Sequence, residues 1–248
     1  AGVIKINKEL QEKLFDEIGN GSLPYDFLIP TKDNGCILAI NRKIIKLDSL
    51  FNVQWSKLYS YNANSIFYGY MVQQTLDSGY VISTPLFDTS NFTIDNILIK
   101  LNNNGIIQWS SKFENPDFNF SGYSTKINKQ TSDSGFLTCA NNSSAEILKR
   151  NNLGQIEWGK NIESVNFFDL VEVSNGDFIL TGQQLNQVFS NNDLILMKIS
   201  SAGTVLWSKI YRGSSQVIGE QIEQGNNGEL IISGKVSNPG NIQLNNVF

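Results

Sequence analysis

Histidine is absent from the 248 residues. That takes away the commonest general base and the commonest transition-metal ligand. Only two cysteines are present, too few for a disulfide framework. Cys36 and Cys139 fall at different positions of non-adjacent repeats, so they are expected to be separate buried thiols packing as hydrophobes. Charged residues make up only 17% of the chain and the net charge is −4. A sparse, acidic surface suits phosphate backbones badly, and no nucleic acid is expected as a partner. No apolar run reaches the roughly 18 residues of a membrane helix, so no transmembrane segment is expected. No signal peptide or leading lipid-attachment cysteine precedes the first strand-like segment, Val3-Ile4-Lys5-Ile6, as expected of a trimmed chain.

What the chain has is apolar mass and repetition. It is 40% hydrophobic, with 15 Phe, 8 Tyr and 4 Trp, enough for a sizeable core. Trp55, Trp109, Trp158 and Trp207 stand 54, 49 and 49 residues apart. A lysine stands nine residues before each: Lys46, Lys100, Lys149 and Lys198. The segments read IIKLDSLFNVQW, LIKLNNNGIIQW, ILKRNNLGQIEW and LMKISSAGTVLW. A fifth copy, VIKINKELQEKL, opens the chain with Lys5 in place and Leu14 at the Trp position. Each copy is a β-rich run, a polar turn and a second run, which is the pattern of a hairpin.

A second signal precedes each of these hairpins: KDNGCIL, LDSGYVI, SDSGFLT, SNGDFIL and NNGELII. Asp or Asn beside Gly between β-rich runs is hairpin-turn chemistry. Each repeat is thus two hairpins in series, four strands a, b, c and d. Units of this length predict an all-β fold, a β-propeller of four-stranded antiparallel blades in a single domain over residues 1–248. The blades are expected near 22–59, 67–113, 123–162 and 167–211. A fifth would join the a–b hairpin of 217–248 to the c–d hairpin of 1–19. The alternative is a fragment of a six- to eight-bladed propeller, in which Asn241–Phe248 would start another c strand.

The motif carried here by Asp77-Ser78-Gly79-Tyr80, Leu98-Ile99-Lys100, Gly105 and Trp109-Ser110 resembles propeller-repeat proteins of the Bacteroidota cell envelope. The resemblance covers nearly the whole chain. It implies a periplasmic or cell-surface setting in a Gram-negative bacterium, and association with the outer membrane or a secretion complex.

Strands alternate in direction, so the a–b and c–d turns share one face. The repeated tryptophans are expected to pack between blades. The ring of Lys5, Lys46, Lys100, Lys149 and Lys198 is expected to neutralise Asp33, Asp77 and Asp133, with an anion-binding ring as the alternative. The b–c loops and d–a links share the opposite face. They include Phe87–Asn96, Gln184–Asp193, 60–66 and 114–122. Tyr61, Tyr68, Tyr70, Phe118, Phe120 and Tyr123 cluster there as candidate partner-binding residues, because variable loops and aromatics favour recognition. Asp48-Ser49-Leu50 resembles a short O-glycan acceptor motif of Bacteroidota, making Ser49 a candidate modification site.

No Gly-x-Ser-x-Gly elbow and no cysteine beside a base is present. The best carboxylates for acid–base work, Asp88 and Asp95, are expected to share one loop with no facing partner. No EF-hand alternation occurs. The expectation is therefore no catalytic residue, no metal, no cofactor and no enzymatic activity. The leading reading is an interaction module that docks a protein of the cell envelope. The alternative is a carbohydrate-binding, lectin-like propeller with a glycan partner, and the second alternative is a hydrolase.

Overall fold

The computed structural model describes residues 27–40, 43–60, 62, 64–67, 71–90, 93–112, 124–141, 144–185, 192–213 and 216–237. The chain divides into two compact units, Ala1–Tyr123 and Ser124–Phe248.

In unit 1, strands β1 (Phe27–Pro30), β2 (Cys36–Ile40), β3 (Lys43–Leu47) and β4 (Val53–Leu58) form one antiparallel sheet in sequence order. The second sheet has a divided inner strand. Both β5 (Ser65–Phe67) and β6 (Met71–Gln74) pair with β7 (Tyr80–Asp88), which is followed by β8 (Thr93–Leu101) and β9 (Ile107–Lys112). In unit 2, β10 (Ser124–Gln130), β11 (Phe136–Asn141), β12 (Ser144–Arg150) and β13 (Ile156–Glu163) make a third sheet. A fourth is formed by β14 (Val165–Glu172), β15 (Phe178–Gln184), β16 (Asp193–Ile199) and β17 (Val205–Tyr211). A two-stranded sheet of β18 (Val217–Gln224) and β19 (Leu230–Val236) follows. The fold is all-β, built of propeller blades, with no helix among the described residues.

The burial of each strand follows its place in the blade. The b and c strands are covered on both faces, as in β11 and β12, where buried positions run almost without interruption. They therefore read in sequence as continuous β-branched and apolar runs. The d strands are outermost and mostly exposed, as in β4 and β17, so they carry Lys, Ser and Gln between apolar residues. Ile37, Ile44, Tyr80, Ile82, Ile97 and Ile99 lie in one core in unit 1. Leu137, Ile147, Phe167, Phe178, Leu180 and Ile195 do the same in unit 2.

The Lys-to-Trp spacing has a direct structural meaning. Lys46, Lys100, Lys149 and Lys198 are the cross-strand partners of Trp55, Trp109, Trp158 and Trp207. In all four pairs the register shifts immediately after the lysine. The bulge puts one extra residue on the d strand next to the indole, Gln54 in the first sheet and Glu157 in the third, while lysine and tryptophan share a rung.

Two expectations change. Phe87–Asn96 is not a loop, because β7 and β8 stay paired out to Asp88 and Thr93. Asp88 and Asp95 therefore sit on adjacent strands of one hairpin. The pairing of residues 1–19 with 219–236, Lys5 and the tail Asn241–Phe248 fall outside the described residues, as does any count of blades.

Candidate functional site

The a–b and c–d turns carry a repeated ion pair. Lys46 Nζ lies 2.8 Å from Asp33 Oδ2, Lys100 2.8 Å from Asp77, Lys149 2.7 Å from Asp133 and Lys198 3.0 Å from Asp177. The first three lysine side chains are only 3, 5 and 2% exposed, whereas their aspartates are half exposed. Each buried ammonium also donates to the next residue's carbonyl: Leu47, Leu101 and Arg150. Thr31, Thr75 and Thr131 donate their hydroxyls to the same carboxylates, and the N–H groups of Gly35, Gly79 and Gly135 do likewise. Partial burial pushes Asp33 upward. The hydrogen bonds from Lys46, Thr31 and Gly35 outweigh it and hold the carboxyl at about 2. Asp77 and Asp133 are lowered by the same competition.

Glycine serves two different ends in these turns. In the first three, the left-handed residue is Asn34, Ser78 or Ser134, and the glycine after it makes room. A Cβ on Gly35, Gly79 or Gly135 would stand 2.1–2.3 Å from the facing carbonyl and 2.4–2.7 Å from the lysine ammonium. In the fourth turn the order is reversed. Gly176 takes the positive φ of 79°, and Asp177 stands where the first three turns have glycine. Lys198 is accordingly more open, at 22%. Asp177 is lowered chiefly by its hydrogen bond from Lys198 and by Asn175.

The tryptophans link sheets within each unit. Trp55 Nε1 donates to Asn103 O at 3.0 Å and Trp158 Nε1 to Ser201 O at 2.9 Å. Gly105 and Gly203 lie against these indoles with φ of 72° and 83°. Tyr59 Oη donates to Gly105 O at 2.7 Å. Burial raises Tyr80, with Asp33 adding to the shift, to about 12, and its ring meets Trp55 edge-on at 5.9 Å.

Beside Trp55 lies a groove of about 550 Å³, between the turns of the two sheets of unit 1. The half-buried indole and the buried Tyr80 line its apolar side. Asp33, Gln54, Gln74, Asn103 and Asn104 line the polar side. Gln74 is engaged, since Lys32 N–H donates to its Oε1 at 2.8 Å. Gln54, Asn103 and Asn104 are exposed, and within the described residues their carboxamides make no hydrogen bond.

The residues singled out from the sequence divide sharply. Tyr61, Tyr68, Tyr70, Phe118, Phe120 and Tyr123 all lie outside the described residues. Ser49 is exposed in the β3–β4 turn, where Asp48 Oδ1 accepts the N–H groups of Leu50 and Asn52 at 2.8 Å each. Asp95 is ion-paired with Lys112 at 3.2 Å, and Asp88 accepts from Ser90 N–H at 2.8 Å. Cys36 and Cys139 are both free and buried. No cluster of three potential metal ligands occurs among the described residues. The carboxamide groove was missed because its parts come from four separate segments. The only local signal was Asn103-Asn104 in a c–d turn, which reads as ordinary turn chemistry.

No protein-family model and no curated protein sequence matches the chain. Among solved structures it is similar to an endo-arabinase from Bacteroides thetaiotaomicron VPI-5482, at 10% identity over 88% of this chain and 90% of that one, with a TM-score of 0.48. It is also similar to a Bifidobacterium bifidum s17 protein assigned as an exo-β-1,3-galactanase, at 10% identity over 87% and 83%, TM-score 0.47. A third is the subtype N10 neuraminidase-like protein of A/little yellow-shouldered bat/Guatemala/060/2010, at 9% identity over 86% and 78%, TM-score 0.43. These values carry no activity to this chain. The expectation that it is not an enzyme is corrected: two of the three bear enzyme names, and a shared fold does not decide for or against catalysis.

Proposed function

We propose that this chain recognises a glycan, and that the groove beside Trp55 is where unit 1 holds it. The observation behind this reading is the set of three carboxamides that make no hydrogen bond among the described residues, Gln54, Asn103 and Asn104, placed with the half-exposed Asp33 carboxylate around a half-buried indole. A carboxamide both donates and accepts, as a sugar hydroxyl does. A few convergent polar groups beside an aromatic wall are the usual make-up of a small-ligand site. The lone carboxylate is an acceptor fixed by Lys46, and at pH 7 it offers charge without a proton to give. A periplasmic or cell-surface setting, implied by the resemblance of the repeat, belongs to the same proposal.

The test is a glycan array probed with the full chain, followed by titration of any retained sugar. Release of reducing ends is monitored in the same samples, so that binding and cleavage are read separately. Retention of a glycan that is lost on Gln54→Ala with Asn104→Ala supports the reading. An array without signal overturns it.

A further inference from the structure

The groove beside Trp55 has a charge of its own. Two ammoniums and one carboxylate line it: Lys32, Lys46 and Asp33. At the corresponding positions unit 2 has Ser132, Lys149 and Asp133, with Glu157 in place of Gln54 and Glu172 in place of Gln74. The formal balance is therefore +1 in unit 1 against −2 in unit 2. Two copies of one turn pattern thus differ in the sign of the charge they present, and Lys32 is the cation that only unit 1 has.

The three charges of the groove are not equivalent. Lys46 is buried and engaged: its ammonium lies 3.1 and 2.8 Å from the two oxygens of Asp33 and donates to the Leu47 carbonyl. Asp33 also accepts from Thr31 and Gly35, so its charge is balanced within its own turn. Lys32 is exposed, and among the described residues no carboxylate pairs with it. It is nevertheless held in place. Its backbone N–H donates to Gln74 Oε1 at 2.8 Å and its Nζ to Thr75 O at 3.3 Å, so the side chain reaches from the turn of the first sheet to that of the second. One carbonyl does not exhaust the donors of an ammonium.

We propose that the groove selects an acidic sugar, one carrying a carboxylate or a sulfate ester, and that Lys32 is the group that reads its charge. This rests on the glycan reading of the groove and goes beyond it by naming the class of sugar. The sugar ring lies against the Trp55 indole, its hydroxyls meet the carboxamides, and its anionic substituent meets Lys32. A charge-assisted bond of this kind is about twice as strong as a neutral one. Exposure and salt screen it, so the effect is a preference that salt can remove. A glutamate at position 54 or 74, as in unit 2, would set a like charge against such a ligand. The chain as a whole carries a net charge of −4, so its long-range field does not draw anions. A preference for the acidic sugar is therefore local to the groove.

Matched oligosaccharides test this on the full chain: uronate oligomers beside their carboxyl-reduced forms, and sulfated oligomers beside their desulfated forms. The readout is the affinity ratio within each pair, at low salt and at about 0.5 M salt. The expected result is an acidic member bound roughly threefold or more tighter than its neutral twin, with the ratio falling toward one as salt rises. The uronate and sulfate arms show which anion is read. Lys32→Gln should bring the ratio to one at low salt, and Lys32→Arg should keep it. Each ratio is taken within one protein sample, so a loss of fold removes both members of a pair and cannot imitate the result. Neutral members bound as tightly as acidic ones, and both lost in Gln54→Ala with Asn104→Ala, would overturn the acidic-sugar inference and leave the glycan reading standing. A preference that survives Lys32→Gln would overturn the role of Lys32. Binding of neither member in any pair would overturn both readings.

Discussion

The turn faces of unit 1 and unit 2 come from one repeat and differ in the charge they offer. Where unit 1 has Gln54 beside Trp55, unit 2 has Glu157 beside Trp158, and Glu157 lies 3.0 Å from Lys149. Where unit 1 has Gln74 holding the Lys32 N–H, unit 2 has Glu172, which takes both the N–H of Ser132 at 2.8 Å and its hydroxyl at 2.5 Å. Asn103-Asn104 becomes Ser201-Ala202. Unit 2 has thus turned these polar groups inward, onto its own lysine and backbone. Unit 1 leaves three carboxamides without a hydrogen bond among the described residues. An internally satisfied polar group adds to rigidity but offers a ligand nothing, which is why the recognition site is assigned to unit 1.

The largest effect that sharpens the comparison concerns the glycines. Gly79→Ala places a methyl against Leu101 O and the Lys100 ammonium and should cost about 2–3 kcal/mol through overpacking. Gly176→Ala meets only Ser201 Cβ at 3.9 Å, so it should cost about 1 kcal/mol, from the left-handed backbone alone. Urea unfolding of both variants measures the difference. Equal losses would mean that the two turn designs are energetically the same.

Next in size is the ion pair itself. Lys100→Met removes charge-assisted bonds to Asp77 and to the Leu101 carbonyl, and should cost about 2 kcal/mol. Lys198→Met should cost distinctly less, because Lys198 is the open member of the set. A smaller effect follows from Trp55→Phe, which keeps a ring against Tyr80 and deletes the bond to Asn103 O, for about 1 kcal/mol. Trp158→Phe should lose a similar amount through Ser201 O.

The acid response has a definite sign. Asp33, Asp77, Asp133 and Asp177 are all lowered in the folded chain. A depressed carboxyl contributes stability that is fully present above its unfolded value near 3.9 and is lost as pH falls through its folded value. For Asp33 the window therefore closes at about pH 2. The urea midpoint should fall between pH 4 and pH 2, and less steeply in Asp33→Asn. An unchanged slope in that variant would remove Asp33 from the account.

Much of this architecture was legible because the repeat writes contacts as spacings. Lysine and tryptophan nine residues apart are cross-strand partners on one rung, and only a hairpin of fixed length with one bulge gives that spacing again and again. The length of β7 and β8 was not legible. Thr89 and Ser90 read as loop residues, and only pairing in three dimensions shows the strands running on to Asp88 and Thr93. Arg150 was hidden in the same way. It occupies the position of Leu47, Leu101 and Ile199, yet it is fully buried. Burial lowers its guanidinium to about 10 against the pull of Glu146, and Thr138 Oγ1 accepts from it at 3.1 Å. The groove was illegible for a third reason. Gln54, Asn103 and Asn104 become neighbours only when a d strand of one sheet meets a c–d turn of the next.

The central claim is that unit 1 keeps its carboxamides free for a ligand, and the most direct measurement gives unit 1 the chemistry of unit 2. The comparison is titration of an array-identified glycan into the full chain and into a variant carrying Gln54→Glu, Asn103→Ser and Asn104→Ala. The account predicts at least a tenfold loss of affinity, about 1.4 kcal/mol, with no fall in melting temperature, because none of the three carboxamides is bonded within the described residues. Equal affinity in the two proteins would contradict it, and the glycan would then have to be held elsewhere.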